Sequence, residues 1–423
     1  MNTTAETNDN VIKDILQKHF GFNALYPMQQ NVIDHVLNGQ DGVVLMPTGG
    51  GKSLCYQLPA LVFSGLTLVI SPLIALMKDQ VQSLHANNIP ADFYNSTMTN
   101  EDKLLVKEKI EGNNIKLLYV APESLFAGNL LDFLKKQDIA LVAIDEAHCV
   151  SSWGHHFRPE YKKLAMIKNQ FGNPPVIALT ATADKAVRSD IGQLLGMENP
   201  EYFIDSFDRP NLSIKVLPGQ KKWEQIIRIV KKYKDKSGII YCISRNGTEK
   251  LASKLEDHGI HAQSYHAGMS SDARSKVQDD FIQGNIDVIC ATIAFGMGID
   301  KPDVRFVIHQ NLPGNLESYY QEIGRAGRDG LPAETVLFYS YRDVQVHMGF
   351  IEEVKNETYK NIQLAKLERM KEYAEAQVCR RRILLSYFSE IPEENCNNCD
   401  VCHNPPEYFD GTVLAQKAMS AIA

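Results

Sequence analysis

A glycine-rich segment at residues 46–53, MPTGGGKS, combines the residue types that bind phosphate groups. Glycines let backbone N–H groups face phosphate oxygens, a lysine can reach the terminal phosphates, and a serine hydroxyl suits Mg²⁺. The strict motif has a glycine six residues before the lysine, where this chain has Met46. We therefore interpret this phosphate loop as a looser nucleotide-binding variant rather than a plain glycine-rich turn. The predicted binding residues are Thr48, Gly49, Gly50, Gly51, Lys52 and Ser53.

A second candidate is the acidic pair Asp145 and Glu146 in AIDEAH, residues 143–148. The pair ends the fourth predicted strand, whereas the phosphate loop follows the first. Ligands of a doubly wound sheet bind at the carboxyl ends of its strands, so we expect both features at one edge. We assign Asp145, with Ser53, to the Mg²⁺ shell, and Glu146 to the group that orients or deprotonates the attacking water.

A third candidate is QEIGRAGRDG, residues 321–330. On a helix, Gln321, Arg325 and Arg328 would share one face because they are spaced by four and three residues. Two neighbouring guanidinium groups repel each other unless an anion lies between them, and a transferring phosphate supplies one. The alternative is an ion-paired surface helix. We predict that both arginines reach a nucleotide held elsewhere, so that binding closes a cleft and hydrolysis reopens it.

Short runs rich in Val, Ile and Leu alternate with helical segments, a pattern typical of βαβ units and parallel sheets. The pattern breaks at residues 205–220 and then restarts, which predicts two doubly wound α/β lobes joined by a linker at residues 207–213. The predicted strands are 41–46, 66–71, 115–120, 141–146 and 176–181 in the first lobe, and 238–244, 261–267, 287–292, 304–310 and 335–340 in the second.

The predicted strands stop at about residue 342, and helical segments follow up to a cysteine cluster. The closing segment TVLAQKAMSAIA looks like a helix that has only begun. We therefore expect a further, truncated domain there. The predicted boundaries are a disordered tail at 1–10, the first lobe at 11–206, the second lobe at 207–342, a helical module at 343–410 and the start of the truncated domain at 411–423.

Composition limits the class of protein. The chain has 423 residues, of which 22% are charged, and a formal net charge of −7. This balance argues against general stickiness to nucleic acid, although local patches can still bind it. No apolar run approaches the ~20 residues of a membrane span, and the N-terminus has no signal-peptide pattern. We expect a cytoplasmic protein without membrane contact.

Several motifs together resemble a superfamily-two helicase. In chain order they are MPTGGGKS, SPLIALMKDQV, DEAH, ALTATA, the stretch from YHAG to FGMGIDKPDVR, and QEIGRAGRDG. An aromatic-rich loop at residues 148–161, HCVSSWGHHFRPEY, is more narrowly similar to the RecQ family of DNA helicases. The resemblance covers about residues 15–411. It implies two RecA-like lobes followed by a small helical zinc-binding module, with ATP as the nucleotide, and a winged helix as the truncated domain.

The resemblance also implies roles for individual residues. Gln29 matches a glutamine that reads adenine in such helicases. Trp153, Phe157 and Arg158 match the aromatic loop that couples DNA contact to ATP hydrolysis. Aromatic faces stack on unpaired bases with little sequence preference. The alternative, that Trp153 is a core residue, is less favoured because its neighbours are polar or glycine.

Three residues depart from the family pattern. Tyr26 stands where the family usually has an arginine; it could stack on adenine but cannot supply charge, so the resemblance gives less support for a preference for ATP over other nucleotides. Ser152 and His156 replace the family's usual glutamine and aspartate in the aromatic loop. We therefore expect the coupling between DNA binding and ATP hydrolysis to differ in strength.

Cys396, Cys399 and Cys402 recur at every third residue and place three thiolates on one loop. A tetrahedral site needs a fourth ligand. Cys379 is a better candidate than His403, because side chains of adjacent residues rarely converge on one ion. Four thiolates suit Zn²⁺, although C-x₂-C-x₂-C also occurs at iron–sulfur clusters. The resemblance favours zinc, and the small size of the module predicts an architectural role.

Together these features predict an ATP-dependent helicase that moves 3′ to 5′ on single-stranded DNA and unwinds duplexes in repair or recombination; the direction and process rest on the resemblance alone. The expected partners are single-stranded and 3′-tailed duplex DNA, together with single-strand-binding and recombination proteins. We expect a monomer associated with the nucleoid. The alternatives are an RNA-remodelling ATPase, and a DNA-dependent ATPase that unwinds weakly because the chain ends before a winged helix.

Overall fold

The alternation of apolar runs and helical segments folds into two parallel sheets. The computed structural model describes residues 10–154, 158–296, 301–407 and 410–422. The strands of the first sheet are β1 (Gly42–Leu45), β2 (Leu66–Ile70), β3 (Ala91–Tyr94), β4 (Leu117–Val120), β5 (Ile139–Ile144), β6 (Val176–Thr180) and β7 (Glu201–Ile204). Those of the second are β8 (Leu212–Pro218), β9 (Gly238–Tyr241), β10 (Ala262–Tyr265), β11 (Val288–Ala291), β12 (Phe306–His309) and β13 (Ala333–Tyr339).

Helices connect the strands of both sheets. In the first lobe the α-helices are Pro27–Leu37, Leu54–Val62, Ile74–Ala86, Asn100–Glu111, Pro122–Leu125, Leu130–Leu134, Ile167–Gln170 and Lys185–Leu194. In the second lobe they are Lys222–Lys232, Arg245–Glu256, Ser271–Gln283 and Leu316–Ile323. A π-helical turn at Leu16–Phe20 and the 3₁₀-helices Ala147–Val150 and Pro159–Met166 complete the first lobe. Among the described residues, no helix has the length and apolar character needed to cross a bilayer.

The first sheet is buried on both faces. Its strand order is β3-β4-β2-β5-β6-β1-β7, with every neighbouring pair parallel. Val43 and Leu45 of β1 pack in one apolar cluster, and Val44 packs in the cluster on the opposite face. Since β1 and β5 are separated only by β6, their carboxyl ends lie at the same edge. The doubly wound prediction is confirmed, and this edge carries both the phosphate loop and the acidic pair.

The second sheet has the order β10-β11-β9-β12-β13-β8 and is also parallel. Its edge strand β8 lies inside residues 205–220. The prediction that the strand pattern breaks in this segment is therefore wrong. The reason is partial burial: β8 alternates buried with half-exposed residues and therefore has no continuous apolar run. β3 and β7, at the two edges of the first sheet, were missed for the same reason.

A helical module follows the second sheet, as predicted. Its α-helices are Tyr341–Glu352, Glu357–Glu375, Arg380–Tyr387 and Asp400–His403. Residues 388–395 of the predicted helical region are not helical, whereas the predicted terminal helix is present at Thr412–Ile422. The cysteine loop, residues 396–402, extends the edge of the second sheet. Ile214 N–H donates to Asn398 O at 3.2 Å, and Val216 N–H donates to Asp400 Oδ2 at 3.2 Å.

Three aromatic rings, which we call the aromatic joint, bring both lobes and the helical module together. Phe207 of the linker stacks on Phe388 of the module, with ring centroids 4.7 Å apart and an interplanar angle of 8°. Tyr320 of the second lobe packs against both rings, with centroids at 5.8 and 4.9 Å. Arg188 of the first lobe donates to Phe388 O at 2.6 Å. The module thus contacts both lobes where the linker joins them.

Candidate functional site

The phosphate loop connects β1 to helix Leu54–Val62 and requires glycine at two positions. Gly49 and Gly51 have φ angles of +88° and +76°, in the left-handed region that favours glycine. A Cβ on Gly51 would also lie 2.3 Å from Gln29 Nε2. Lys52 Nζ donates to Met46 O at 3.0 Å, so its ammonium group lies within the turn of the loop. Burial lowers the pKa of Lys52, although the nearby carboxylates oppose that shift.

Gln29 lies directly against the phosphate loop. Its Oε1 accepts from Tyr26 N–H at 3.0 Å, and its Nε2 donates to Gly50 O at 3.2 Å. These bonds fix the residue, which is 5% exposed, at the start of helix Pro27–Leu37. Tyr26 beside it is 72% exposed. The predicted adenine-reading segment is therefore attached to the loop that we expect to hold the phosphates.

The acidic pair follows β5 at the predicted sheet edge. Glu146 has a φ of +48°, a left-handed conformation that is costly outside glycine and is often found at functional sites. Asp145 Oδ1 accepts from Glu146 N–H at 2.9 Å. Burial, and then the charge of Glu146, raise the pKa of Asp145 to about 7, against the opposing charge of Lys52. A desolvated carboxylate pair of this kind is stabilised by a bound cation. Asp145 and Ser53, the predicted Mg²⁺ ligands, line the same cavity.

A line of polar side chains leads from the acidic pair to the second lobe. Glu146 pairs with His148 at 3.2 Å, and His148 Nδ1 lies 2.9 Å from Thr180 Oγ1. Thr180 Oγ1 donates to Thr182 O at 3.1 Å, and Gln321 Nε2 donates to Thr182 Oγ1 at 3.3 Å. Thr180 and Thr182 belong to the family motif ALTATA, residues 178–183, to which the sequence alone assigns no role. Its hydroxyl groups link the predicted water-activating residue to the segment that carries the arginines.

The two predicted arginines do not lie on a helix. Helix Leu316–Ile323 ends first, and residues 324–328, here called the arginine turn, follow it. The prediction of a shared helix face is therefore wrong, because the helix ends at Ile323 with Gly324 as its C-cap residue, before either arginine. Gly327, with a φ of +55°, lies between the two arginines. Arg325 is 5% exposed, and its Nε has no hydrogen-bond partner within the described part of the chain. A Cβ on Gly49 would lie 3.4 Å from Arg328 Cγ, so the turn contacts the phosphate loop.

The three predicted groups line one cavity between the lobes. Its volume is about 450 Å³. The side chains that line it include Thr48, Lys52, Ser53, Asp145, Glu146, Gln321, Arg325 and Arg328, together with Gly49 and Gly51. A basic loop, two carboxylates and two guanidinium groups facing one space can bind a polyphosphate and a metal cation together.

The aromatic loop follows the acidic pair and reaches the surface. Trp153 is 46% exposed, which argues against the core alternative. Arg158 Nη1 pairs with Glu123 Oε1 at 3.0 Å, and both side chains are partly exposed. Phe157, the third predicted DNA contact, lies outside the described residues, as does His156.

The backbone of the aromatic loop packs tightly against the acidic segment. A Cβ on Gly154 would lie only 2.2 Å from His148 O, so a side chain there would displace one segment or the other. Trp153 N–H donates to Ser151 Oγ at 3.1 Å, and Ser151 Oγ donates to Asp190 Oδ2 at 2.6 Å. Movement of the aromatic loop would therefore displace His148, which pairs with Glu146.

The four predicted cysteine ligands converge. The sulfur atoms of Cys379, Cys396, Cys399 and Cys402 all lie within 4.8 Å of one another. Tetrahedral Zn²⁺ with ~2.3 Å bonds would hold its sulfurs ~3.8 Å apart, and the Cys396 and Cys402 sulfurs are 3.9 Å apart. His403 points elsewhere, with Nε2 3.1 Å from Asn397 O. The four sulfur atoms therefore lie close enough together to bind one zinc ion.

Backbone N–H groups surround the sulfur atoms. Cys396 N–H faces Cys379 Sγ, and Cys402 N–H faces Cys399 Sγ, each at 3.4 Å. Burial by itself raises the pKa of Cys379, but the N–H groups of Cys396 and Arg382 outweigh burial and lower it to about 7. Such donors stabilise the thiolate, which is the form that binds metal.

Known families match the chain in the same three parts as the structure. Residues 26–189 match the DEAD/DEAH box helicase family, and residues 221–330 match the helicase conserved C-terminal domain. Residues 341–403 match the RecQ zinc-binding family, which supports zinc over an iron–sulfur cluster. The Mycobacterium smegmatis helicase Lhr, solved with single-stranded DNA and AMP-PNP, has a similar fold: the TM-score is 0.64 at 20% identity, over 86% of this chain and 58% of that one.

Longer proteins of high sequence identity indicate the family of this chain. The chain is 50% identical to the ATP-dependent DNA helicase RecQ of Haemophilus influenzae, over 96% of this chain and 66% of that protein. It is 40% identical to the ATP-dependent DNA helicase RecQ of Bacillus subtilis, over 97% of this chain and 70% of that protein. The chain thus spans about two thirds of the length of these relatives. With these identities, and with the lobes and the cysteine cluster in place, the chain belongs to the RecQ family.

Proposed function

We propose that this chain is an ATP-dependent DNA helicase that moves 3′ to 5′ along single-stranded DNA and separates duplex ahead of it. The observation that carries the proposal is the cavity between the lobes, where the phosphate loop, the acidic pair and the arginine turn meet. A nucleotide in that cavity would contact both lobes. Its binding and hydrolysis would therefore change how the lobes pack, which is what a translocating motor requires.

Each residue of the cavity has a role that its chemistry supports. Lys52 and the loop N–H groups bind the phosphates, and Glu146 orients or deprotonates the attacking water. Arg325 and Arg328 face the phosphates from the second lobe and stabilise the charge that spreads over the transferring group. Mg²⁺, held by Ser53 and Asp145, would neutralise phosphate charge when bound. Gln29 reads the base, beside Tyr26, which could stack on adenine.

DNA is bound through the aromatic loop. Trp153 and Phe157 stack on unpaired bases, and Arg158 contacts the backbone. The tight contact between Gly154 and His148 supports coupling, because displacement of the loop by DNA would shift the residue paired with Glu146. With Ser152 and His156 at two positions of the loop, the strength of coupling differs from the family pattern.

The substrates are single strands and 3′-tailed duplexes, met during repair or recombination. Opening one base-pair step costs roughly 0.6–2.2 kcal/mol, so one ATP per short step supplies enough free energy. The protein acts as a monomer in the nucleoid, with single-strand-binding and recombination proteins as partners. These finer assignments follow the family resemblance.

The test is ATP hydrolysis measured with no nucleic acid, single-stranded DNA or RNA of the same sequence, together with strand displacement on 3′- and 5′-tailed duplexes. We expect stimulation by DNA above that by RNA, and displacement only with the 3′ tail. Stronger stimulation by RNA would favour an RNA-remodelling ATPase. Stimulation by DNA without displacement would leave a DNA-dependent ATPase that unwinds weakly.

Replacing Trp153 with alanine should lower the ratio of ATP turnover with DNA to turnover without it. One base–aromatic stack is worth about 1–3 kcal/mol, so the DNA concentration for half-maximal stimulation should rise by roughly 5- to 150-fold. Trp223, which lies in the second lobe with Lys254 over its ring, provides the matched control. Trp223→Ala should keep the ratio. An unchanged ratio for Trp153→Ala, with both turnovers reduced equally, would make Trp153 a structural residue.

A further inference from the structure

One guanidinium group in the linker contacts both sides of the nucleotide cavity. Arg209 Nη1 donates to Thr48 O at 3.1 Å and to Gly324 O at 3.3 Å. Its Nη2 donates to Ala326 O at 3.0 Å and to Gly327 O at 2.9 Å. Thr48 belongs to the phosphate loop of the first lobe, and the other three acceptors belong to the arginine turn of the second. Four carbonyl groups from two lobes thus share one side chain.

These acceptors are backbone carbonyls of the two segments that carry the residues predicted to hydrolyse ATP. Gly324 and Ala326 flank Arg325, and Gly327 immediately precedes Arg328. The positions of these three carbonyl groups therefore determine the backbone positions of both arginines. Thr48 O fixes the first half of the phosphate loop. A planar guanidinium with donors on two nitrogens can hold both sets at a constant separation, which a single ammonium group cannot do. In these four hydrogen bonds, Arg209 contacts only backbone atoms of the segments beside the cavity.

We propose that Arg209 is a positioning residue for ATP hydrolysis, which sets the distance and orientation of the arginine turn relative to the phosphate loop. The inference rests on the proposed ATPase function. Arg209 is not among the residues that line the cavity. Its effect is on geometry: Arg325 and Arg328 approach the transferring phosphate correctly only when the turn is held against the loop.

A second set of contacts holds Arg209 itself in place. Arg381 Nη2 donates to Arg209 O at 3.0 Å and to Leu212 O at 2.6 Å. Asn398 Nδ2 donates to Pro210 O at 3.1 Å and to Leu212 O at 3.3 Å. Both donors belong to the helical module, so the module holds the linker on one side, while on the other side Arg209 donates to carbonyls of both lobes.

The donors are also adjacent in sequence to the metal ligands. Arg381 is two residues after Cys379, and Asn398 is one residue before Cys399. The residues that hold the linker segment carrying Arg209 are thus next to cysteine ligands in the chain.

The experiment compares Arg209→Gln and Arg209→Lys with Arg305→Lys in the full chain. Arg305 is the matched control, because it also donates to backbone carbonyls, those of Pro302, Asp303 and Pro332, but only within the second lobe. It also pairs with Asp329, and lysine at this position can keep that ion pair. Steady-state ATP hydrolysis at saturating single-stranded DNA gives kcat and KM, binding of a fluorescent ATP analogue gives Kd, and zinc content and Tm report folding.

We expect Arg209→Gln to lower kcat by about 10- to 100-fold, the range typical of a small misplacement of catalytic groups. KM for ATP and Kd for the analogue should change by less than about threefold, since the phosphate-binding residues remain. Arg209→Lys should retain more activity than Arg209→Gln, because an ammonium group can keep some of the carbonyl bonds. Arg305→Lys should keep kcat, and zinc content should match the wild type in all three.

Three results would overturn the proposal. One is a wild-type kcat in zinc-loaded Arg209→Gln. Another is a rise in KM and Kd at unchanged kcat, which would make Arg209 a binding residue. The third is loss of soluble, zinc-loaded protein in both Arg209 variants but not in Arg305→Lys, which would make its role one of folding alone. Absence of ATP hydrolysis by the wild type would instead refute the proposed function, so the two failures are distinguishable.

Discussion

Replacing Lys52 with alanine is expected to lower DNA-stimulated ATP turnover by roughly 100- to 1,000-fold, the cost of removing one preorganised charged donor from a transition state. Lys52 Nζ is held by Met46 O and Pro47 O at 3.0 and 3.4 Å, at the centre of the phosphate loop. Asp145 and Glu146 favour its charged form against desolvation. Phosphate release at saturating ATP and DNA is the measurement.

Lys116 provides the control for that prediction. Its Nζ likewise donates to two backbone carbonyls, those of Phe63 and Ser64, at 2.9 and 3.0 Å, but it lies away from the cavity. Lys116→Ala should therefore keep its turnover. If turnover by Lys52→Ala stayed within about tenfold of the wild type, the assignment of residues 46–53 as the phosphate loop would be wrong.

Replacing Cys399 with alanine should remove the metal and the fold of the helical module together. Cys399 is fully buried within the cysteine cluster. Structural zinc contributes about 10–16 kcal/mol in small zinc-binding peptides, which is comparable with the ~5–15 kcal/mol that stabilises a whole domain. We expect less than one zinc ion per chain, a low soluble yield and a lower Tm, measured by elemental analysis, fractionation and thermal unfolding.

Cys290 provides the matched control, because it is equally buried, in β11, but lies outside the cluster. Cys290→Ala should keep the zinc content and cost only the small packing loss of a buried thiol. A Cys399→Ala protein that is soluble, free of metal and as stable as the wild type would show that the cluster is not architectural.

The central strands of both sheets could be predicted because they are buried on both faces. Such strands, for example β1 and β9, appear in the sequence as short continuous apolar runs. The edge strands β3, β7 and β8 were not predicted, since each has partly exposed residues and no continuous apolar run. β10, at the other edge of the second sheet, is also partly exposed but was predicted at residues 261–267. For β8 the pairing is completed by the cysteine loop, which lies far along the chain.

The candidate site was predictable where side-chain type determines chemistry. As expected, the phosphate loop and the acidic pair line one cavity. The four cysteine sulfurs also lie together, as expected. The helical placement of Arg325 and Arg328 was wrong, although the glycines at 324 and 327 were a visible signal that the helix ends. Arg209 gave no signal at all, because its partners are backbone carbonyls, which every residue possesses.

The aromatic joint has a consequence for synthesis on the ribosome. Phe207 is 1% exposed and belongs to the apolar cluster of the first lobe, to which Leu385 and Phe388 also belong. At about 5–20 residues per second, roughly 10–40 s separate the synthesis of Phe207 from that of Phe388. During that interval the first lobe has emerged, but its apolar cluster still lacks Leu385 and Phe388, and also lacks Tyr320 until that residue is made. The nascent chain therefore carries an uncovered aromatic surface beside the linker, to which chaperones can bind until the last helices are made.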